Sequence, residues 1–206
     1  MKLPGLMKTN VPLARHSTLD VGGPADYFAE IIQDRVDPSG FLNSKLIEAC
    51  EFAHDNRLDI FILGRGSNVL FSDKGFRGLV ICITSDRNDG IRWLRNNQLW
   101  VNAGVLISDL VTMGKTAGLA GFEFLAGLPG TVGGAVFGNA GCYGGQFWDV
   151  VEEVVFFDGE SVERREKDPS MFNYRWSIFK ENPNWIILAV KLVIRLNSKK
   201  SVADET

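Results

Sequence analysis

GLPGTVGGAVFGNAGCYGG runs from Gly127 to Gly145, and eight of its nineteen residues are glycine. Glycine loses more backbone freedom on folding than any other residue, so this density weakens helix and strand alike. A local benefit must offset that cost. A shorter stretch, LGRGSNVLFSD (Leu63–Asp73), has the same character, with Gly64, Gly66, Ser67 and Asn68 close together. Glycines allow backbone to approach a ligand closely, and successive N–H groups can then point into one concavity and hold an anion. Ser67 and Asn68 add side-chain donors. Two such loops suit a diphosphate, whose charge is spread over several oxygens.

The common nucleotide fingerprints are absent. The first loop reads Gly64-x-Gly66-x-x-Val69, so the third glycine of a Rossmann turn is missing, and a strand rather than a helix is expected to follow. There is no G-K-[ST] of a Walker loop and no G-x-S-x-G elbow, so Ser67 is a poor hydrolytic nucleophile. Cys50, Cys82 and Cys142 are scattered, and with only His16 and His54 beside them no zinc-ligand spacing appears; no metal site is expected.

Composition narrows the class further. Of the 206 residues, 45% are hydrophobic and 23% charged, enough apolar side chains for a sizeable core. A formal net charge of −3 gives no footing for nucleic acid or an anionic membrane. The tract ERREK (Glu163–Lys167) mixes both signs and reads as a solvated strand face. Free thiols, an N-terminus without an apolar signal core and no run of membrane-spanning length lead to the expectation of a soluble, cytoplasmic protein.

Walking outward, an irregular start precedes a strand at ADYFAEII (Ala25–Ile32). Leu42, Leu46, Ala49, Cys50 and Ala53 then recur at helical spacing, with Asn56 placed to close the helix. Short strands follow at DIFILG, VLFSD and LVICI. A second unit opens with IRWLR and LWVNAG, a hairpin turning on Asn96-Asn97. LISDLVTMGKTAG places Leu106, Leu110, Met113 and Ala117 on one helical face. Past the glycine-rich stretch come strands at VEEVVFFDG, SVERREK and WIILAVKLVIRL, the last apolar enough to lie at the centre of a sheet.

LGRGSNVLFSDKGFRGLVI and GLAGFEFLAGLPGTVGGAVFGNAGCYGG, together with STLDVGGPADYF near the start and FNYRWSIFK at Phe172–Lys180, closely resemble four ordered motifs of the UDP-N-acetylenolpyruvoylglucosamine reductase family. The resemblance spans about Thr18 to Leu196. It implies an α+β, two-subdomain FAD-binding fold of the vanillyl-alcohol-oxidase (PCMH) type, with subdomains over 1–84 and 85–197 and a polar tail over 198–206. It also implies FAD and NADPH as cofactors. Gly64, Arg65, Gly66, Ser67 and Asn68 would line one side of the FAD, and Pro129, Gly130, Gly133, Gly134, Asn139, Ala140 and Gly141 the other. Asp20 stands where many members carry a basic residue.

The family activity would be reduction of a UDP-sugar enolpyruvyl ether to UDP-N-acetylmuramate for peptidoglycan. Hydride addition builds negative charge beside the substrate carboxylate, where a fixed cation stabilises the transition state. Arg175 matches the family arginine in that role, and Tyr174 would help to shape the site. The family's proton-donating serine lies in a GSFFKNP-like motif of a third, substrate-binding domain, and that motif is absent from these residues. The alternatives are a partner chain that supplies that domain, a truncated homologue or flavin-binding module without reductase activity, and another FAD oxidoreductase of the superfamily.

Overall fold

The computed structural model describes residues 3–37, 41, 43–86 and 88–196. The chain opens on an antiparallel pair. Met7–Pro12 (β1), expected to be irregular, runs along the edge of Pro24–Gln33 (β2). Helix α1 (Ser44–Asp55) starts where the Asn43 side chain accepts a hydrogen bond from the Lys45 N–H. It closes at Asn56, whose Nδ2 donates to the Phe52 carbonyl at 2.7 Å. Leu42, assigned to the same helical face, lies outside the described residues. Asp59–Leu63 (β3) and Phe76–Ser85 (β4) complete a sheet in the order β1-β2-β4-β3.

Strands β2, β4 and β3 are mutually parallel, so Gln33, Ser85 and Leu63 end at one edge of the sheet. Ligands of open parallel sheets bind beyond such carboxyl ends. VLFSD, expected to be a strand, is instead part of a loop covering Gly64–Gly75. Its Phe71 is buried against Leu13, Phe28 and Val80, so the apolar run serves as a plug under one face of the sheet.

The second unit begins with the expected hairpin, Ile91–Trp93 (β5) and Gln98–Asn102 (β6), and both turn asparagines have positive φ. Helix α2 spans Ile107–Thr116, with Leu106 at its N-cap rather than on its apolar face. Leu119–Ala120 (β7) precedes the glycine-rich stretch, which is not all loop: Val132–Gly138 form a short helix, α3. Gly141–Cys142 (β8) and Gly145–Gln146 (β9) pair next. Val151–Phe157 (β10) and Val162–Glu166 (β11) precede a small hairpin of Phe172–Asn173 (β12) and Trp176–Ser177 (β13). Ile186–Val193 (β14) and Arg195–Leu196 (β15) finish the described chain.

The larger sheet has the order β11-β10-β14-β6-β5 and is antiparallel throughout. Its centre is β14, as the unbroken apolar run required. Val190 and Leu192 face one core with α2, α3 and Trp148. Ile186 and Leu188 belong to a second core shared with α1, β2 and β4, so one apolar layer joins the two units. A buried polar clamp reinforces the joint. Gln33 Nε2 donates to the Leu188 carbonyl at 2.7 Å, and its Oε1 accepts from the Gly104 N–H at 2.8 Å. β11 is solvated as expected, Arg164 to Lys167 being exposed, and the Arg164 guanidinium lies over Phe41 and Trp100 and that of Arg165 over Phe156 and Trp185.

Candidate functional site

A cleft of about 440 Å³ opens at the carboxyl ends of the parallel strands, where the two units meet. The first unit lines it with Arg15, His16, Glu30, Gly64, Arg65 and the Cys82–Ser85 end of β4. Gly104, Leu106 and Thr131 close it from the second unit. Two guanidinium groups stand against two carboxylates, Asp20 and Glu30, and with several hydroxyls and bare glycine backbone they offer both donors and acceptors to a polar, hydroxyl-rich ligand.

The first glycine loop is shaped by its protein neighbours. Gly64 passes so close to Thr131 that an added Cβ would overlap the threonine hydroxyl. Gly66 has φ +66° and lies directly on the His16 carbonyl, and its own carbonyl accepts from the Thr18 N–H at 3.2 Å. Of the five residues expected to hold cofactor from this loop, Gly64 and Arg65 line the cleft. Gly66 is buried beneath His16, Ser67 leans on Gly130, and Asn68 is exposed.

Burial governs the two titratable neighbours. Burial pushes the Cys82 thiol up to about 11, Glu30 adding to the effect and Arg65 opposing it. The thiol therefore stays protonated near neutral pH, and its S–H donates to the Gly64 carbonyl at 3.7 Å. Burial lowers His16, against the raising influence of Glu30, and its ring rests on Phe28 with centroids 4.3 Å apart.

The glycine-rich stretch divides its labour. Thr131 caps α3, its hydroxyl accepting from the Gly134 N–H at 3.3 Å. Gly133 lets α3 sit against Ala103, whose carbonyl accepts the Gly133 N–H at 2.8 Å. Pro129 is exposed, Gly130 is half-buried beside Ser67, and Ala140 packs on the core. Gly134 and Gly138 differ from these. Neither has positive φ, and a Cβ would meet nothing within 4 Å at Gly138 and only the Thr131 hydroxyl, at an ordinary 3.5 Å, at Gly134. Glycine inside a helix costs about 0.5–1 kcal/mol relative to alanine. No protein atom demands them, and α3 presents bare backbone at these two positions.

Arg175 and Tyr174 form the turn of the β12–β13 hairpin, both exposed and outside the lining of the cleft. Arg175 has φ 54°, and its guanidinium donates to the Gly141 carbonyl at 2.8 Å while lying over the Tyr174 ring. The Lys180 ammonium donates to the Arg175 carbonyl at 2.8 Å. The arginine is thus tied to the far end of α3 from Thr131. Seven helical residues at 1.5 Å each put about 10 Å between the two ends.

Sequence reasoning missed Ser17, Thr84, Gly104 and Thr131 as cleft residues. Only Thr131 carried a readable signal, as a threonine just before the helical VGGAVFG.

Comparison with known proteins agrees with this geometry. The FAD binding domain family matches residues 43–163. UDP-N-acetylenolpyruvoylglucosamine reductase of Solibacter usitatus is 36% identical over 94% of this chain and 59% of its own length. The enzyme of that name from Lactobacillus delbrueckii subsp. bulgaricus is 36% identical over 100% of this chain and 65% of its own. The crystal structure of UDP-N-acetylenolpyruvylglucosamine reductase from Thermus caldophilus superposes with a TM-score of 0.72 at 31% identity, covering 95% of this chain and 65% of that one. A cholesterol oxidase from Brevibacterium sterolicum, at TM-score 0.60 and 13% identity, shares the fold alone. The chain thus spans 59 to 65% of the length of these reductases. Among the described residues no helix is long and apolar enough to cross a membrane.

Proposed function

The chain belongs to the FAD binding domain family and corresponds to the FAD-binding part of the UDP-N-acetylenolpyruvoylglucosamine reductases, and from that premise we propose that it holds FAD between its two units for reduction of a UDP-sugar enolpyruvyl ether. The observation that carries the reading is the pair of glycines in α3, Gly134 and Gly138, left bare where no protein atom requires it. The two FAD-binding subdomains are residues 1–84 and 85–197.

Bound FAD supplies the hydride relay of this chemistry, from NADPH to the enolpyruvyl double bond. The chain's residues bind and orient. The Gly64 backbone, with the Arg65 and Arg15 guanidinium groups, would hold the diphosphate, because guanidinium and amide donors match its oxygens. Gly130, Gly134 and Gly141 keep side chains away from the flavin end. Arg175 faces the substrate carboxylate, where it stabilises the charge that hydride addition builds. Tyr174, stacked under the guanidinium, limits its freedom. The reading leaves the proton donor to groups outside these residues, further along a polypeptide or on a partner chain, and it places the protein in the cytoplasm among the enzymes of peptidoglycan precursor synthesis.

A second reading, a flavin-binding module without turnover, is favoured by the same bare glycines and needs no substrate site. One series separates the two. The purified chain is incubated with FAD, desalted and scanned in the visible. A retained flavin band is expected; a colourless but folded protein would sink both readings. A shift of the retained flavin band on adding the UDP-sugar enolpyruvyl ether, lost in Arg175→Ala, would then select the reductase, and no shift the module.

A further inference from the structure

The β12–β13 hairpin carries Arg175, yet it owes its place to α3. Three hydrogen bonds join the hairpin to the end of α3, its cap and the start of β8. Ser177 Oγ donates to the Phe137 carbonyl at 2.7 Å, Asn139 Nδ2 to the Asn173 carbonyl at 2.8 Å, and Arg175 Nη2 to the Gly141 carbonyl at 2.8 Å. Of the three side chains, Arg175 is exposed, and Ser177 makes a single bond through one short arm. Asn139 is different.

Its side chain is buried, with 1% of the residue exposed. The second Nδ2 proton goes to Gln146 Oε1 at 2.8 Å, and Oδ1 accepts from the Trp148 N–H at 3.3 Å. Gln146 is held in turn by Asp149, through its N–H at 3.0 Å and its Nε2 at 3.1 Å. Asn139 also ends α3 in the left-handed region, at φ 43°, which asparagine tolerates better than most residues. Both amide protons and the amide oxygen are engaged by protein. The side chain therefore has no donor left for a ligand, although the family resemblance places it among the cofactor contacts.

We infer that Asn139 is a positioning residue: its amide ties the Arg175 hairpin to the end of the glycine-rich helix and so fixes where the guanidinium points. The functional consequence rests on the role of Arg175 proposed above, but the tie itself does not.

Two variants isolate it. Asn139→Gly keeps the left-handed backbone and removes the amide. Asn139→Asp keeps the oxygen that accepts from Trp148 and removes both donors. Backbone hydrogen exchange of the purified chain is the measurement. Residues 172–177 should exchange at least about tenfold faster in both variants, while β10 and β14 keep their protection. In Asn139→Asp, residues 147–150 should also stay protected, because the bond from Trp148 survives. Wild type, with the same charged neighbours Asp149, Arg175 and Lys180, is the control. Unchanged exchange at 172–177 in both variants would overturn the inference. Turnover separates this from the proposed function. If the hairpin loosens as expected but Arg175→Lys reduces the enolpyruvyl substrate as well as wild type, the tie stands and the catalytic role of Arg175 falls.

Discussion

The two glycine-rich regions look alike as text and are held to glycine by different things. In the Gly64–Asn68 loop the neighbours are protein: Thr131 crowds Gly64, and the His16 carbonyl lies against Gly66. Along α3, Gly134 and Gly138 face open space. The first region keeps Gly64 and Gly66 for the fold, as the second keeps Gly133 against Ala103, whereas no protein neighbour requires Gly134 or Gly138. Stability measurements on the chain without cofactor should therefore move in opposite directions for the same glycine-to-alanine change.

The largest effect is expected at Gly66. A methyl group there overlaps the His16 carbonyl and must also adopt positive φ, so Gly66→Ala should lower unfolding stability by about 2–4 kcal/mol in denaturant titration. A loss under about 0.5 kcal/mol would mean that the loop is not clamped as described. Gly64→Ala should cost about 1–3 kcal/mol, because the Thr131 side chain it strikes is buried. A double-mutant cycle with Thr131→Ala should reveal a coupling of about 1 kcal/mol or more, and strict additivity would dissolve the contact.

Gly134→Ala is the counter-case. It should stabilise the cofactor-free chain by about 0.5–1 kcal/mol, while the flavin band retained after desalting weakens. Stabilisation with an undiminished band would remove the argument that α3 is bare for a cofactor.

The smallest effect is a pH dependence confined to the first region. His16 has a folded pKa below its usual 6.5, chiefly through burial, so the unfolded chain binds the proton more readily. Stability from this group is present above about pH 6.5 and is lost as pH falls from there through the lower folded value. The unfolding midpoint should drop between about pH 7 and about pH 5, and His16→Phe should flatten that part of the profile.

Much of the fold was legible because hydrophobic periodicity reports burial directly. The run WIILAVKLVIRL could only be satisfied at the middle of a sheet, and β14 lies there. Asn96-Asn97 announced a hairpin because asparagine accepts positive φ. VLFSD misled for a related reason: Phe71 is buried as a strand residue would be, but against the face of a sheet rather than within one. MKTNVP offered too little apolar alternation to declare β1, whose strand character comes from pairing along β2. VGGAVFG read as loop because only Ala135 has high helix propensity beside three glycines and two β-branched valines, and packing of Val132, Ala135 and Val136 on the larger sheet supplies the rest.

By itself the amino-acid sequence determined that two glycine-dense segments must turn through positive φ or sit close to other backbone or to a ligand, since these are what repay glycine's entropy. Four ordered motifs were enough to identify the family. Only the tertiary structure decided which glycine serves which purpose, because that depends on the atoms a Cβ would meet, and those come from residues far away in the chain. The same holds for Asn139. Whether its amide faces a cofactor or a neighbouring hairpin is set by where Asn173, Gln146 and Trp148 arrive in space, and no local pattern records that.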